Sequence, residues 1–188
     1  MKKTFLIIAS VFFLSGCAVV NPYVLTKNQT NLDLSNNRGV ALFTLRIKNS
    51  GSDHLFLSSF AVREANQYKS YNTLGYYYIP LTGENYSASD DLYFCTAVLT
   101  RGIYRLDSFS GLTNSFFSAP YTLKGDKIFD VYPNKINYIG SLDFGDLDTK
   151  IALISLKGLK DSYEQDVKKF KEIFPVLKDK EIGKDLFY

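Results

Sequence analysis

The sequence predicts a mainly β fold followed by one amphipathic α-helix near the C-terminus. From Gly39 onward, apolar and polar residues alternate with the period of two that is typical of half-buried strands. Clusters of Asn, Ser, Gly and Asp separate these runs, as expected of turns. No part of the chain alternates strands with long helices, which disfavours a doubly wound α/β fold. Short strands at this spacing indicate an antiparallel sandwich or barrel.

The predicted strands follow one another through the middle of the chain. They cover residues 39–48, 54–62, 74–81, 92–99, 103–109, 116–123, 128–132, 136–144 and 151–156. Thr100-Arg101-Gly102, between two of them, predicts a β-hairpin. Lys124-Gly125-Asp126 and Gly145-Asp146-Leu147-Asp148 each combine glycine with aspartate, which favours turns at these two places.

The last part of the chain changes to helical spacing. Apolar side chains recur there every three or four residues, which predicts one apolar face on a helix. They are Tyr163, Val167, Phe170, Ile173, Phe174 and Leu177. Ser162 with Gln165 fits a capping box, and Asp161 with Glu164 is the alternative frame. Pro175 disfavours helix at the preceding residue, so the helix should end near there. We expect the helix to pack on the sandwich edge; the alternative is a helix that binds a membrane surface or a partner.

The first residues have the features of a secretion signal. Lys2 and Lys3 precede an apolar run over residues 5–14 that is interrupted only by Ser10. A helix of this length spans about 15 Å, half of a bilayer core of roughly 30 Å, so a permanent transmembrane helix is disfavoured. A secretory hydrophobic region fits instead. The run ends in Leu14-Ser15-Gly16-Cys17.

Leu14-Ser15-Gly16-Cys17 resembles the lipobox of bacterial lipoproteins, an aliphatic residue and two small residues before an invariant cysteine. The resemblance implies cleavage between Gly16 and Cys17, and a Cys17 whose acyl chains, such as palmitate, anchor the mature chain in a membrane. Each buried methylene contributes about 0.8 kcal/mol to such anchoring. Ala18 stands where an aspartate retains enteric-type lipoproteins in the inner membrane. The implied location is therefore the outer membrane; its periplasmic face is expected, and the cell surface is the alternative.

Four segments follow from these patterns. Residues 1–16 are the signal peptide, 17–37 a lipidated tether, 38–158 the sandwich, and 159–188 the C-terminal helix and tail packed on the sandwich. The tether is predicted from its content of Asn, Ser and Thr, which is typical of a linker. Within it, Leu32-Asp33-Leu34 is a candidate for a short edge strand.

Composition excludes several classes of site. The chain has one His and 2 Cys, too few for a zinc cage of four cysteines or of two cysteines and two histidines. Lys2 and Lys3 are the only charges removed with the signal peptide, so the net charge falls from +3 to about +1. No basic field remains for nucleic acid. Cys95 lies in an apolar run and is expected to be a buried, unreactive thiol.

No residue is predicted to be catalytic, and no cofactor is expected. The chain lacks the Gly-x-Ser-x-Gly elbow and both glycine-rich phosphate motifs, and its only histidine, His54, lies at a turn-to-strand junction. Asp143, Asp146 and Asp148 are the candidates for a cation site, because clustered oxygens suit hard cations. Their spacing lacks the twelve-residue calcium loop and its final Glu. Solvated turn residues are therefore preferred, and no metal is predicted.

Tyrosine is the one compositional anomaly, because seven tyrosines lie between residues 68 and 93 among Asn, Ser and Thr. A tyrosine combines a flat apolar ring with a hydroxyl, so exposed clusters bind sugars or proteins. Tyr76, Tyr77, Tyr78 and Tyr86 are therefore the candidate binding surface. In a strand Tyr76 and Tyr78 point to one face and Tyr77 to the other, so one set is expected to line the core. The preferred interpretation is that the cluster is core, in a strand between two apolar layers, and the binding surface is the alternative.

Two further runs resemble small uncharacterised proteobacterial lipoproteins. Gly102-Ile103-Tyr104-Arg105-Leu106 matches a G-x-Y-x-[LV] strand, and residues 131–140 match V-x-P-x-K-x-N-Y-[IL]-G, ahead of a helix that ends at Phe174-Pro175. The resemblance implies an antiparallel β-sandwich of transthyretin or immunoglobulin type, and it transfers no catalytic residue. We therefore expect a non-catalytic, membrane-anchored envelope lipoprotein that binds a protein or a glycan. The alternatives are an envelope hydrolase that uses carboxylates and a structural subunit of a secretion or envelope assembly.

Overall fold

The computed structural model describes residues 23–49, 55–65, 76–87, 91–113, 120–147 and 156–188. These residues form two β-sheets, one α-helix and two 3₁₀ turns. The strands are β1 (Arg38–Asn49), β2 (Leu55–Glu64), β3 (Tyr76–Pro80), β4 (Tyr86–Ser87), β5 (Leu92–Thr100), β6 (Gly102–Thr113), β7 (Pro120–Val131), β8 (Ile136–Leu147), β9 (Gly158–Lys160) and β10 (Gly183–Lys184). Helix α1 spans Tyr163–Ile173, and the 3₁₀ turns lie at Gly83–Asn85 and Pro175–Leu177.

The two sheets pack face to face as a sandwich with the helix on the outside of one sheet, which confirms the predicted fold class. The larger sheet has the strand order β10-β8-β1-β5-β4, with β9 also on β8, and the smaller sheet has the order β3-β2-β6-β7. All pairs in the smaller sheet are antiparallel. In the larger sheet β1 and β8 are parallel, which differs from the all-antiparallel expectation. Parallel neighbours need a long connection, and the chain between β1 and β8 provides one.

The predicted hairpin at Thr100-Arg101-Gly102 is wrong. β5 ends in the larger sheet and β6 begins in the smaller one, so this connection crosses between the sheets. Both edges of β5 already have partners, since β1 runs along one edge while β4 and the Tyr23 backbone occupy the other. β6 therefore pairs with β2 and β7.

The predicted turn at Lys124-Gly125-Asp126 is also wrong, because β7 runs through it. The register between β6 and β7 shifts here, as in a β-bulge, and Asp126 has a φ of 48°. A Cβ on Gly125 would lie 2.8 Å from the carbonyl oxygen of Leu106, so a side chain does not fit. Gly125 and Asp126 therefore form part of a β-bulge within β7, and the chain does not reverse direction at this point.

β8 is longer than its apolar pattern indicated. It continues to Leu147 through the second predicted turn, where Gly145 has a φ of 66° that a side chain would strain. The strand predicted over residues 151–156 lies outside the described residues except for Leu156, which is not in a strand.

The space between the sheets is an aromatic-rich inner core. Phe43 of β1 has its ring centroid 5.1 Å from that of Phe60 on β2 and 5.7 Å from that of Phe187. Full burial of a phenylalanine contributes roughly 1.5–3 kcal/mol, and edge-to-face ring pairs add about 0.5–1.5 kcal/mol. Cys95 is fully buried here, as predicted, and burial raises the pKa of its thiol well above the usual value.

A second apolar core, the outer core, covers the other face of the larger sheet. Phe170 of α1 is fully buried there, edge-on to Phe94 of β5 with 5.2 Å between ring centroids. The helix predicted from the apolar stripe therefore forms and packs on the sandwich. It ends at Ile173, close to the end that Pro175 indicated. Because both faces of the larger sheet are covered, residues 92–99 of β5 are all buried.

The start of α1 uses neither predicted capping box in full. Ser162 makes no side-chain capping hydrogen bond, whereas the Asp161 carboxylate accepts one from the Tyr163 N–H at 3.2 Å. Lys184 pairs with the same carboxylate. A negative charge at this end also suits the helix dipole.

The expected tether over residues 17–37 is wrong from Tyr23 onward, because residues 23–37 pack on the body; we call them the arm. Leu25 of the arm is buried, and Leu32 and Leu34 lie against the outer core. Residues 32–34 do not form the expected edge strand. The polar composition of the arm as a whole concealed these apolar contacts, which come from a few residues at its start and middle.

The C-terminal tail closes a gap between the sheets. The Phe187 N–H donates to the Ile139 carbonyl of β8 at 2.8 Å, while the Phe187 ring enters the inner core. Tyr188 exchanges two backbone hydrogen bonds with Ile128 of β7, each 3.0 Å long. The tail thus links β8 of the larger sheet to β7 of the smaller sheet.

Candidate functional site

The outer face of the smaller sheet exposes large apolar side chains, unlike the covered outer face of the larger sheet. Its most exposed large apolar residues are Tyr78 (68% exposed), Phe56 (49%), Leu112 (48%) and Ile103 (38%). We call this surface of β3, β2, β6 and β7 the open face. Single exposed apolar residues are common on soluble proteins, but a set of them on one sheet face marks an interaction surface.

β3 divides the candidate tyrosines as strand alternation predicts. Tyr77 packs against the inner core. Tyr76 and Tyr78 lie on the open face with their ring centroids 4.9 Å apart. Tyr86 lies on β4 of the larger sheet, where its ring stacks near Tyr93 at 4.7 Å. The structure therefore brings two of the four tyrosines together on an accessible surface and places the other two elsewhere.

One carboxylate holds two neighbouring side chains of the open face. The Tyr76 hydroxyl donates to Asp107 Oδ2 at 2.7 Å, and Arg63 Nε lies 3.2 Å from Asp107 Oδ1. Burial, and then this hydrogen bond, raises the pKa of Tyr76 to about 12, so the hydroxyl remains a donor at neutral pH. Asp107 has no partner in the register of β6 with β2 or in that of β6 with β7, so it occupies a bulge. Bulges reorient a side chain, and here the carboxylate reaches Tyr76 and Arg63.

Two arginines stand side by side on adjacent strands of the open face. Arg63 of β2 pairs in register with Tyr76 on one side and with Arg105 of β6 on the other. Like charges directly across a strand pair are destabilising by themselves. Here each arginine has its own acid, Asp107 for Arg63 and Asp126 for Arg105. The open face therefore presents arginine side chains with little net charge.

The far end of the open face is apolar. Phe56, Leu112 and Pro120 lie opposite one another on β2, β6 and β7. The sequence analysis did not identify these residues. Phe56 sits in the all-apolar run Leu55-Phe56-Leu57, where alternation cannot show which side chain faces out. The available signal was an apolar residue on the polar phase of a strand, as Leu112 is on β6.

The aspartates predicted as cation candidates do not form a described site. Asp143 accepts hydrogen bonds from Lys160 Nζ and from the Gly145 N–H, both at 2.8 Å. Partial burial opposes ionisation of Asp143, but these two bonds, together with the positive charges of Lys160 and Arg46, lower its pKa below the usual value. The side chain of Asp146 and the whole of Asp148 lie outside the described residues. Within the described ranges, no group of three or more His, Cys, Asp or Glu could hold a metal.

A buried carboxylate that the sequence analysis missed joins α1 to the larger sheet. Asp166 is 3% exposed, and its Oδ2 accepts hydrogen bonds from Thr44 Oγ1 and from the Tyr138 hydroxyl, each 2.6 Å long. Burial raises the pKa of Asp166, although both hydrogen bonds oppose that shift. Its inaccessibility makes it a structural group rather than a catalytic one. A polar residue in the middle of an otherwise apolar helix face was the available signal.

Residues 131–140, which carry the resemblance to the small lipoproteins, have structural roles. Tyr138 binds Asp166, and Gly140 has a φ of 127° and leaves room for the Phe187 ring, which would lie 3.3 Å from a Cβ. A cavity of about 930 Å³ is lined by residues 132–137, by Leu32, Leu34 and Ser35 of the arm, and by residues 180, 181 and 183–185. One oxygen of Asp185, Oδ2, is buried with no hydrogen-bond partner.

No family model, curated protein or solved structure matches the chain. Gly16 and Cys17, the predicted cleavage and lipidation residues, lie outside the described residues, as does His54. No helix among the described segments is long and apolar enough to span a bilayer. Function must therefore be inferred from the residues of the open face and from the sequence that precedes the arm.

Proposed function

We propose that this chain is a lipid-anchored, non-catalytic protein of the bacterial envelope that binds a protein partner through the open face. The observation that supports this is the contrast between the two outer faces. A complete second core covers the larger sheet, while the smaller sheet exposes Tyr78, Phe56, Leu112 and Ile103. Exposing these side chains on a stable sandwich is unfavourable unless another surface covers them.

The composition of the open face favours a protein over a glycan. Protein interfaces are enriched in aromatic residues and arginine, and their centres are depleted of unpaired charge. The open face combines Tyr76 and Tyr78 with Arg63 and Arg105, and each arginine is neutralised in place. The far end of the open face adds the apolar side chains of Phe56, Leu112 and Pro120. These side chains have no hydrogen-bonding groups for the hydroxyls of a glycan.

The fixed geometry of the open face also lowers the cost of binding. Asp107 holds both Tyr76 and Arg63, so neither side chain has to be ordered when a partner arrives. Ordering a flexible side chain at an interface costs about 0.5–1.5 kcal/mol. Tyr78, whose ring lies beside that of Tyr76, is the most exposed of the large apolar side chains of the face. We therefore assign Tyr78 the role of the central contact.

Membrane attachment is proposed from the lipobox resemblance at Leu14-Ser15-Gly16-Cys17. Cys17→Ala should abolish fatty-acid labelling of the chain in cells and leave a soluble or unprocessed form, because the thiol is the acylated group. Metabolic labelling followed by membrane fractionation measures both effects, with Cys95→Ala as the matched control that keeps its label. Label that persists on Cys17→Ala would show that the chain is not lipidated at this residue.

Photo-crosslinking in the native envelope tests the open face directly. A benzoylphenylalanine in place of Tyr78 or Leu112 should form an adduct with the same protein, because both positions lie on one surface. The same group in place of Lys168, exposed on α1, is the matched control and should not form that adduct.

The second arm of this experiment combines crosslinking at position 112 with Tyr78→Ala. If Tyr78 is the central contact, the adduct yield should fall at least tenfold, which corresponds to about 1.4 kcal/mol of binding free energy. An adduct that is equally strong from position 168, or the absence of any protein adduct from positions 78 and 112, would refute the proposal. Adducts with a glycan alone would replace a protein partner by a glycan.

A further inference from the structure

We infer that the partner of the open face is a protein held in the same membrane as this chain, embedded in it or anchored to it. The inference rests on the proposed function and adds the location of the partner. Two observations carry it: the docking of the arm on the body, and the place where the arm begins.

The arm is part of the folded body from its first described residue. The Val98 N–H donates to the Tyr23 carbonyl at 2.9 Å, and the Leu25 N–H donates to Thr96 Oγ1 at 3.0 Å. The other end of the arm is fixed as well, because the Arg101 N–H donates to the Asn37 carbonyl at 2.7 Å. The arm therefore cannot extend to lift the body away from a membrane.

Only a short length of chain remains between the lipid anchor and the body. Cys17 precedes Tyr23 by six residues. A fully extended chain spans at most about 3.3–3.6 Å per residue, so Tyr23 lies within roughly 20 Å of the anchored cysteine. This bound follows from covalent geometry and holds for any conformation of residues 17–22. A tether of 21 residues, as the sequence analysis expected, would have allowed more than three times that height.

The chain enters the body beside β3, the strand that carries Tyr78. The Tyr23 ring is 5.2 Å from the ring of Tyr77, and Tyr77 is the direct neighbour of Tyr76 and Tyr78 on β3. Tyr77 points to the inner core and Tyr78 to the open face, so Tyr78 lies across β3 from Tyr23, at most roughly 20 Å away. The β3 edge of the open face is thus held within roughly 40 Å of the anchored cysteine.

A surface held this close to a bilayer meets proteins that emerge from the same bilayer. Confinement of both partners to one thin layer also raises their effective concentration relative to free diffusion. The partner should present its contact surface within this layer, and it should complement a nearly neutral face of tyrosine, arginine and apolar side chains.

Two spacers of equal length test the inference in the full-length, lipidated chain. A 30-residue insert between Ala18 and Val19 leaves the lipobox and the arm unchanged. An insert of EAAAK repeats is predominantly helical and adds up to about 45 Å, whereas a Gly/Ser insert is a flexible coil that can fold back. Both versions, and the chain without an insert, carry benzoylphenylalanine in place of Leu112, and fatty-acid labelling confirms that each is anchored.

We expect the unmodified and Gly/Ser chains to crosslink to one membrane-fraction protein, and the EAAAK chain to lose at least four-fifths of that adduct. Equal adduct from the EAAAK chain, or an adduct protein that fractionates as soluble, would overturn the membrane location while leaving the open face as a binding surface. Adducts with lipid alone would replace the protein partner by the bilayer itself. No adduct from the unmodified chain would instead refute the proposed function, and this inference with it.

Discussion

Asp166 provides the sharpest test of how the helix is held on the sandwich. Its Oδ2 is the acceptor for two buried hydroxyls, those of Thr44 and Tyr138, which are both fully buried. Asp166→Ala leaves both donors without this partner. A buried donor without a partner costs about 1–3 kcal/mol, and two of them cost about 2–6 kcal/mol. Removing Asp166 also removes the cost of burying its carboxylate, which offsets part of this loss of stability. We therefore expect the free energy of unfolding to fall by about 3 kcal/mol in total.

The matched control replaces the whole cluster rather than its acceptor. Thr44→Val, Tyr138→Phe and Asp166→Leu together leave no buried polar group without a partner, and such apolar replacements are often close to neutral. The triple variant should therefore be more stable than Asp166→Ala. Equilibrium urea unfolding followed by circular dichroism measures both. If Asp166→Ala loses less than about 1 kcal/mol, or the triple variant is the less stable of the two, the cluster does not hold the helix as described.

The same cluster predicts a pH dependence. Burial raises the pKa of Asp166 above its usual value of 3.8, so the folded chain binds this proton more tightly than the unfolded chain. The stability that comes from protonation is fully present below the unfolded pKa and is lost as pH rises through the folded pKa. Relative to Asp166→Asn, the unmodified chain should gain stability as pH falls from 7 toward 4. A gain in the opposite direction would show that the two hydrogen bonds outweigh burial.

Three further changes test the packing around the open face and the helix. Phe170→Ala should cost about 3–5 kcal/mol in urea unfolding because the ring is fully buried against the sheet, and a loss under about 0.5 kcal/mol would mean an undocked helix. Tyr77→Ala should lower the melting temperature clearly because its ring packs on the inner core, while Tyr78→Ala should change stability by less than about 0.5 kcal/mol; equal effects would contradict the assignment of faces. Gly125→Ala should cost about 1–3 kcal/mol, since its Cβ would meet the Leu106 carbonyl oxygen, and a neutral result would show that the bulge can relax.

The local sequence was sufficient to predict those secondary-structure elements whose residue pattern fits only one kind of element. The stripe through Phe170 predicts helix, and Pro175 limits its end, because both effects act within a few residues. The alternation of Tyr76, Tyr77 and Tyr78 predicts that Tyr77 is separated from the other two. It does not predict which set faces out, because that depends on which side of β3 the other sheet packs.

The errors share a different cause, which is that they concern pairing between distant residues. Thr100-Arg101-Gly102 has the composition of a hairpin, but the edges of β5 next to it are occupied by β1 and by the arm, which both lie far away in sequence. The arm itself looks like a linker, since the few apolar residues that dock it acquire meaning only next to the outer core. Likewise, the sequence around Asp166 is that of an ordinary acidic residue on a helix. Its structural role depends on Thr44 and Tyr138, which are distant in sequence and donate hydrogen bonds to it in the fold.

The sequence by itself determined that the chain is mainly β with a C-terminal helix, that it lacks the residues for a zinc cage, and that its N-terminus resembles a lipoprotein signal. These properties follow from period, counts and contiguous motifs, all of which are local. Only the tertiary structure decided that one sheet is buried on both faces, that the other leaves Tyr78 and Phe56 exposed, and that residues 23–37 pack on the body. The physical reason is that burial depends on which surfaces meet, and a residue contributes the same side chain to the sequence whether its neighbours cover it or not.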